Sequence, residues 1–287
     1  MRTHNHKKTI WRNIVSGFLA AALVLTTCAA TFAPLSALAD ADTSKRFISQ
    51  YDSLAQMYNA EAKINVEVAA EGMVLLKNRD NALPLSRSAN VTLLGAASYN
   101  LYQGRNGTPG DGSAKVELAD SLEAVGISVN PRVQALYAQV GEGKLMDLVA
   151  SDGEVEFDGK SYVAASNGML DDAINTFKFY DDAAIITLRR TGDEGADNLA
   201  YNVPGHSDPS DHNLMLTDAE RETIAFAKQH FNKVIVLLNI PSMMEIGALK
   251  DDDAISAIVQ ISLPGSNGAA AIGKLLTGEA NFSGRLI

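Results

Sequence analysis

The sequence has 287 residues, with 24 Lys and Arg against 34 Asp and Glu and a net charge of −10, enough chain for one large domain or two small ones. So acidic a protein is a poor partner for nucleic acid or anionic lipid, both of which recruit proteins through Lys and Arg. The single cysteine, Cys28, excludes an intrachain disulfide framework, so stability has to come from a hydrophobic core.

The N-terminus reads as a targeting segment. Arg2, Lys7, Lys8 and Arg12 form a basic region, Ile14 to Ala30 is mostly apolar, and Ala37-Leu38-Ala39 is a small-x-small cleavage signal before Asp40. This is the pattern of a Sec-type signal peptide over residues 1–39, which predicts cleavage after Ala39 and a secreted or cell-surface protein. An uncleaved membrane anchor is the rival reading. A lipoprotein fits less well, because Leu25-Thr26-Thr27-Cys28 has Thr where Gly or Ala normally precedes the modified Cys. The first 39 residues hold four basic residues and no acidic one, so the rest carries 20 basic against 34 acidic residues, a net of −14. Cys28 and Trp11, the only residues of their kinds, leave with the signal. No later stretch is apolar for long enough to span a membrane.

Residues 40–60 read as a polar leader and 61–287 as one domain. Ile64, Val68, Met73, Leu75 and Leu76 lie in an alanine-containing run compatible with a helix that ends near Lys77-Asn78; Pro84 forbids helix beyond it. Val91 to Gly95 is a short strand. The loop after it, Ser98 to Ala114, is rich in Gly, Asn, Ser and Asp, and loops of that length are often functional. Val116 to Val125 is a helix stopped by Gly126, Ile127 to Val129 a short strand, and Val133 to Tyr137 the start of a helix. Gly141 to Leu170, with turn signals at Asp152-Gly153 and Asp158-Gly159, reads as an irregular insert with a hairpin. Ala173 to Tyr180 leads into the central strand, Ala183 to Leu188, a short apolar run of the kind buried on both faces. Tyr201 to Asn213 is a polar loop. Thr217 and Glu220 form a capping box that opens a helix to about His230. Lys233 to Leu238, ending at Asn239, and Asp253 to Ile261 are strands; Met243 to Leu249 and Ala269 to Leu276 are helices, the last ended by Gly278. Strand, loop and helix alternate about four times, which predicts an α/β fold: a mostly parallel sheet sandwiched between helices and joined by right-handed crossovers. Gly284-Arg285-Leu286-Ile287 does not read as a natural domain end, so a truncated C-terminus is expected.

In open parallel sheets ligands bind outside the carboxyl ends of the strands. Three loops share that end: Ser98–Ala114 with Arg105, Asn106, Asp111 and Lys115; Arg189–Asn198 with Arg190, Asp193, Glu194 and Asp197; and Ser262–Gly268. The set has neither a nucleophilic Ser elbow nor a Cys, and suits a neutral hydroxylated ligand. Glu194, between Gly192 and Gly195, is presented without side-chain crowding and suits a general acid/base; the same stretch also reads as a solvated acidic turn. A P-loop is absent, and Gly110-Asp111-Gly112-Ser113-Ala114-Lys115 breaks the dinucleotide pattern at its last position and lies too far past its strand, so no nucleotide is expected. His206, Asp208, Asp211 and His212 lie close together but at a spacing foreign to standard ligand sets. A solvated loop is the preferred reading, and no metal or other cofactor is expected. Tyr99 and Tyr102 suit either stacking on a sugar ring or packing against the loop. Asp251-Asp252-Asp253 reads as a charged approach to the next strand.

Taken as a series, several of these motifs resemble the C-terminal α/β domain of glycoside hydrolase family 3. Ala69-Ala70-Glu71-Gly72-Met73-Val74-Leu75-Leu76-Lys77-Asn78 and Asn81-Ala82-Leu83-Pro84-Leu85 resemble its opening segment. The Gly-rich loop after Val91–Gly95 follows, then Arg190-Thr191-Gly192-Asp193-Glu194-Gly195-Ala196-Asp197, which is similar to that family's R-x-S-G-E-G-x-D segment. Leu216-Thr217-Asp218-Ala219-Glu220, Leu263-Pro264-Gly265 and Leu276-Thr277-Gly278 through Ser283-Gly284-Arg285-Leu286 continue in family order, so the resemblance runs from about Asn65 to Ile287. It implies a retaining β-glycosidase, β-glucosidase-like, acting on a carbohydrate β-glycoside. The matching Glu, Glu194, would be the general acid/base, with Arg105, Asp111, Arg190 and Asp197 as loop-shaping or sugar-contacting residues. The family's nucleophile is an Asp on a separate (β/α)8 barrel, which usually precedes this domain. Here a signal peptide does, as in a subgroup with reversed order and the barrel downstream, supplied in cis or in trans. Asp193 stands where the family usually has Gly. A non-catalytic carbohydrate-binding or scaffold domain is the alternative.

Overall fold

A computed structural model describes residues 49–103, 115–138, 169–190 and 207–286. The framework is a six-stranded sheet. Its strands are β1 (Val74–Asn78), β2 (Asn90–Leu94), β3 (Ser128–Val129), β4 (Ala183–Arg189), β5 (Val234–Asn239) and β6 (Ile255–Gln260), in the spatial order β1-β6-β5-β4-β2-β3. All neighbours pair in parallel except β1, which runs antiparallel along β6. From β2 the chain goes outward to β3, then returns past β2 to β4 and continues to β5 and β6. The order therefore reverses between β2 and β4, and such a reversal opens a crevice at the carboxyl ends of the strands.

The helices are α1 (Leu54–Gly72), α2 (Leu118–Glu123), α3 (131–138), α4 (Met169–Thr176), α5 (Asp218–His230), α6 (Gly247–Lys250), α7 (Gly265–Gly268) and α8 (Ala270–Leu276). They fall on the two faces of the sheet because successive strand residues point to opposite sides. Ala183 and Ile185 of β4, with Leu93, Leu237 and Val259, pack under Leu122 of α2 and Ile272 and Leu275 of α8. Ala184, Ile186 and Leu188, with Val236 and Ile258, pack under Leu136 of α3, Phe177 after α4 and Ile224 of α5. Every residue of β4 and β5 is buried, which explains their unbroken apolar runs and bears out the predicted sandwich.

Two tight places follow from single glycines. Gly126 turns the chain out of α2 at φ +95°, and a Cβ there would lie 2.8 Å from the Arg87 carbonyl oxygen. Gly273 lets α8 press on α2: its own Cβ would fall 2.0 Å from the Ser121 carbonyl oxygen, and its N–H donates to Ser121 Oγ at 2.9 Å.

The structure redraws one stretch. The helix expected to run to Lys77-Asn78 begins earlier, at Leu54, and stops at Gly72, and Val74–Asn78 becomes the antiparallel edge strand. Val-Leu-Leu-Lys fits either state locally; what selects the strand is the open edge of β6, whose backbone groups need partners. The short helix expected from Met243 is confined to Gly247–Lys250.

Candidate functional site

The carboxyl ends of β2, β4, β5 and β6 carry a polar layer in an otherwise apolar domain. At the crevice between β2 and β4, buried Ser98 closes the ends of both strands: its Oγ donates to the Leu94 carbonyl at 2.7 Å and accepts from the Thr187 N–H at 2.9 Å. Asn239, the last residue of β5, is wholly buried. Its Oδ1 accepts from Tyr102 N–H at 2.6 Å, and its Nδ2 donates to the carbonyls of Tyr102 (2.9 Å) and Ser262 (2.6 Å). One amide side chain thus binds the loop after β2 to the loop after β6. The Arg189 guanidinium donates to the Asn100 carbonyl at 2.9 Å, and Val116 N–H to the Ser266 carbonyl at 2.9 Å. The described parts of the three predicted loops therefore do meet at one end of the sheet. Ser262 adopts φ +51°, a left-handed conformation that few non-glycine residues occupy.

Two carboxylates border this layer. Glu117, half-buried at the N-cap of α2, accepts from Leu101 N–H at 3.4 Å and shares a capping box with Asp120. Burial holds its pKa above the ordinary value, against the lowering influence of the Leu101 hydrogen bond and of Lys115, while Asp120 raises it further and Arg189 lowers it. Glu220, in the first turn of α5, has no exposed surface. Both its oxygens take the Arg190 guanidinium, Nη2 to Oε2 at 2.6 Å and Nη1 to Oε1, and Thr217 N–H donates to Oε2 at 2.8 Å.

Of the proposed acid/base and sugar-site residues, Arg105, Asp111, Arg190, Glu194 and Asp197, Arg190 is the one the structure describes. Its side chain turns inward: besides Glu220, it donates to the carbonyls of Asn213 (3.0 Å) and Met215 (2.9 Å). Arg105, Asp111, Glu194 and Asp197 lie outside the described residues, in segments bordered by Gln103 and Lys115 and by Arg190 and Ser207. Tyr99 stacks on Tyr137 of α3 with ring centroids 4.9 Å apart and donates its hydroxyl to the Leu93 carbonyl of β2 at 3.0 Å, so its ring packs against the domain's own helix and strand. Among the candidate metal residues, Asp208 accepts from Ser210 N–H and Oγ, Asp211 pairs with Arg221, and His212 Nε2 lies 3.3 Å from Glu245. Among the described residues no three such groups converge on a metal position. Asp252 is paired to Lys228, and that pairing lowers its pKa.

Sequence reasoning missed Asn239 and the second role of Glu220. The available signal was a polar residue closing an apolar strand, and a capping-box Glu that follows an Arg at a strand end.

The profile of the glycosyl hydrolase family 3 C-terminal domain matches residues 73–287. The chain belongs to glycosyl hydrolase family 3. Its sequence is 28% identical over 249 residues to beta-glucosidase A of Butyrivibrio fibrisolvens, covering 78% of this chain and 28% of that protein. It is 27% identical over 240 residues to the periplasmic beta-glucosidase of Salmonella typhimurium, covering 79% of this chain and 29% of that one. The chain thus spans less than a third of the length of these family 3 relatives. Beta-glucosidase 3B of Thermotoga neapolitana, solved with glucose, shares the fold at a TM-score of 0.61 and 24% identity over 78% of this chain and 30% of that one. A beta-glucosidase of Paenibacillus barengoltzii does so at 0.61 and 24%, over 76% and 23%.

Proposed function

We propose that this chain is the component of a retaining β-glycosidase, β-glucosidase-like, that supplies the general acid/base Glu194 and the loops that hold the sugar. The nucleophile, an Asp, would come from a (β/α)8 barrel in cis or in trans. The observation that carries this reading is position: the family 3 segment Arg190–Asp197 leaves the carboxyl end of the central strand β4, beside the crevice where the other two loops meet.

Retaining hydrolysis needs two carboxyl groups about 5–5.5 Å apart. Glu194 donates its proton to the departing glycosidic oxygen as the barrel carboxylate attacks the anomeric carbon. It then takes a proton from the water that releases the sugar. Such a group works best when its pKa lies well above that of a free carboxyl, and an adjacent Asp193 carboxylate would push it that way. Arg105, Asp111 and Asp197 are assigned to the sugar, Arg190 to the shape of the loop. Residues 1–39, read as a Sec-type signal peptide, would make this a secreted or cell-surface protein.

The test compares the parent and Glu194→Ala on aryl β-glucosides, with the chain alone and beside a barrel. Activity is expected only with the barrel. Glu194→Ala should lower turnover of a poor leaving group about 10²–10⁴-fold. It should spare kcat/KM for 2,4-dinitrophenyl glucoside while lowering kcat, because release of the glycosyl-enzyme loses its base, and azide should restore turnover by yielding a β-glucosyl azide. Glu194-dependent turnover by the chain alone would remove the need for the barrel. Glycan binding unchanged by Glu194→Gln, with no turnover beside any barrel, would make this a carbohydrate-binding scaffold.

A further inference from the structure

We propose that the first turn of α5 is a positioning device for residues 191–206, with Glu220 and Asp218 acting on the two stems of that segment; the proposal rests on the reading of Glu194 as acid/base. Arg190, the residue before the segment, is gripped by both oxygens of Glu220. Ser207, the residue after it, donates its N–H to Asp218 Oδ2 at 2.7 Å, and Asp218 is itself held by Arg221 at 2.8 Å. Both stems therefore end on one helical turn, two residues apart. Arg190 also closes on the Asn213 and Met215 carbonyls, so the chain between Ser207 and α5 is bound to the same guanidinium.

A capping box needs only one oxygen of Glu220, to accept from the Thr217 N–H. The planar fork formed with Arg190 is a separate, direction-setting contact. Stability does not call for it, since buried ion pairs are commonly replaced by apolar groups without loss. Placement does: a general acid displaced by about 1 Å can lose about two orders of magnitude in rate. Glu220 and Asp218 are positioning residues that act through Arg190 and Ser207.

The test uses the full chain with Arg190→Met/Glu220→Leu and, as a milder second variant, Asp218→Asn. Hydrogen exchange of 191–206 is followed against the β5 and β6 strands, and turnover beside the barrel is compared for poor and activated leaving groups. The expected result is a retained fold and faster exchange confined to 191–206. kcat/KM should fall about 10–100-fold with the poor leaving group and less than about 3-fold with the activated one, because only cleavage of the former needs the acid. Unchanged exchange in both variants, or equal losses on both substrates, would overturn the proposal. Should Glu194→Ala show no leaving-group dependence while the exchange effect persists, the acid/base reading falls and the positioning of the stems stands.

Discussion

Arg189 and Arg190 are consecutive, both buried, and point to opposite faces of the sheet as strand geometry requires. Each faces the first turn of a helix and its carboxylate. On one side Arg189 reaches the Asn100 carbonyl and lies near Glu117, which keeps part of its surface in water, caps α2 and accepts from Leu101 N–H at 3.4 Å. On the other side Arg190 and Glu220 form a fully enclosed two-point pair. The same residue types thus give a loose polar contact against α2 and a locked one against α5. The difference lies in desolvation: charges taken wholly out of water hold only if their donors and acceptors are met, and here the N-cap Thr217 and the preceding carbonyls of Asn213 and Met215 do so.

The comparison can be broken most severely at the locked side. Arg190→Met leaves Glu220 buried and unpaired and should cost about 3–5 kcal/mol, read as a fall in urea midpoint that the Arg190→Met/Glu220→Leu double variant largely restores. At the loose side, Gly273→Ala drives a methyl into the Ser121 carbonyl and should cost about 1–3 kcal/mol by displacing α2, while hydrogen exchange around α5 stays as it was. The smallest effect is expected from Glu117→Gln, which keeps a hydrogen-bond acceptor for Leu101 and removes the charge. Because burial raises the Glu117 pKa, the folded chain takes up a proton there before the unfolded chain does. The contribution of Glu117 therefore grows as pH falls through the raised pKa and is complete below the ordinary value of 4.5. Glu117→Gln should thus be more stable than the parent at pH 7, by under about 1 kcal/mol, with the gap closing as pH falls toward 4.5. A gap that widens on acidification would show Glu117 to be stabilised as the anion. Asp218 and Asp252, whose pKa values are lowered by Arg221 and Lys228, work in the opposite sense and lose their contributions below the ordinary Asp range.

Much of the frame was legible in residue patterns. Apolar runs at β4 and β5 announced strands buried on both faces, Thr217 and Glu220 announced a helix start, and the spacing of strand and helix announced a parallel sheet. These are local signals, and each is satisfied by groups a few residues apart. The edge strand Val74–Asn78 was not legible, because its partner Ala257–Gln260 lies about 180 residues away. Nor was the part played by Asn239, whose partners Tyr102 and Ser262 belong to different loops. At the candidate site, the motif around Glu194 was recognisable as a string of residue types, whereas the inward turn of the Arg190 side chain was not.

Composition, periodicity and capping chemistry set which segments form strands and helices and which strand ends carry polar loops, since hydrophobic burial and backbone geometry act over a few residues. Which arginine closes on a fully buried carboxylate and which lies beside a half-buried one depended on the packing of α5 and α2 against opposite faces of β4. Burial of a charge is a property of everything around it, and neighbours in space are chosen by the fold.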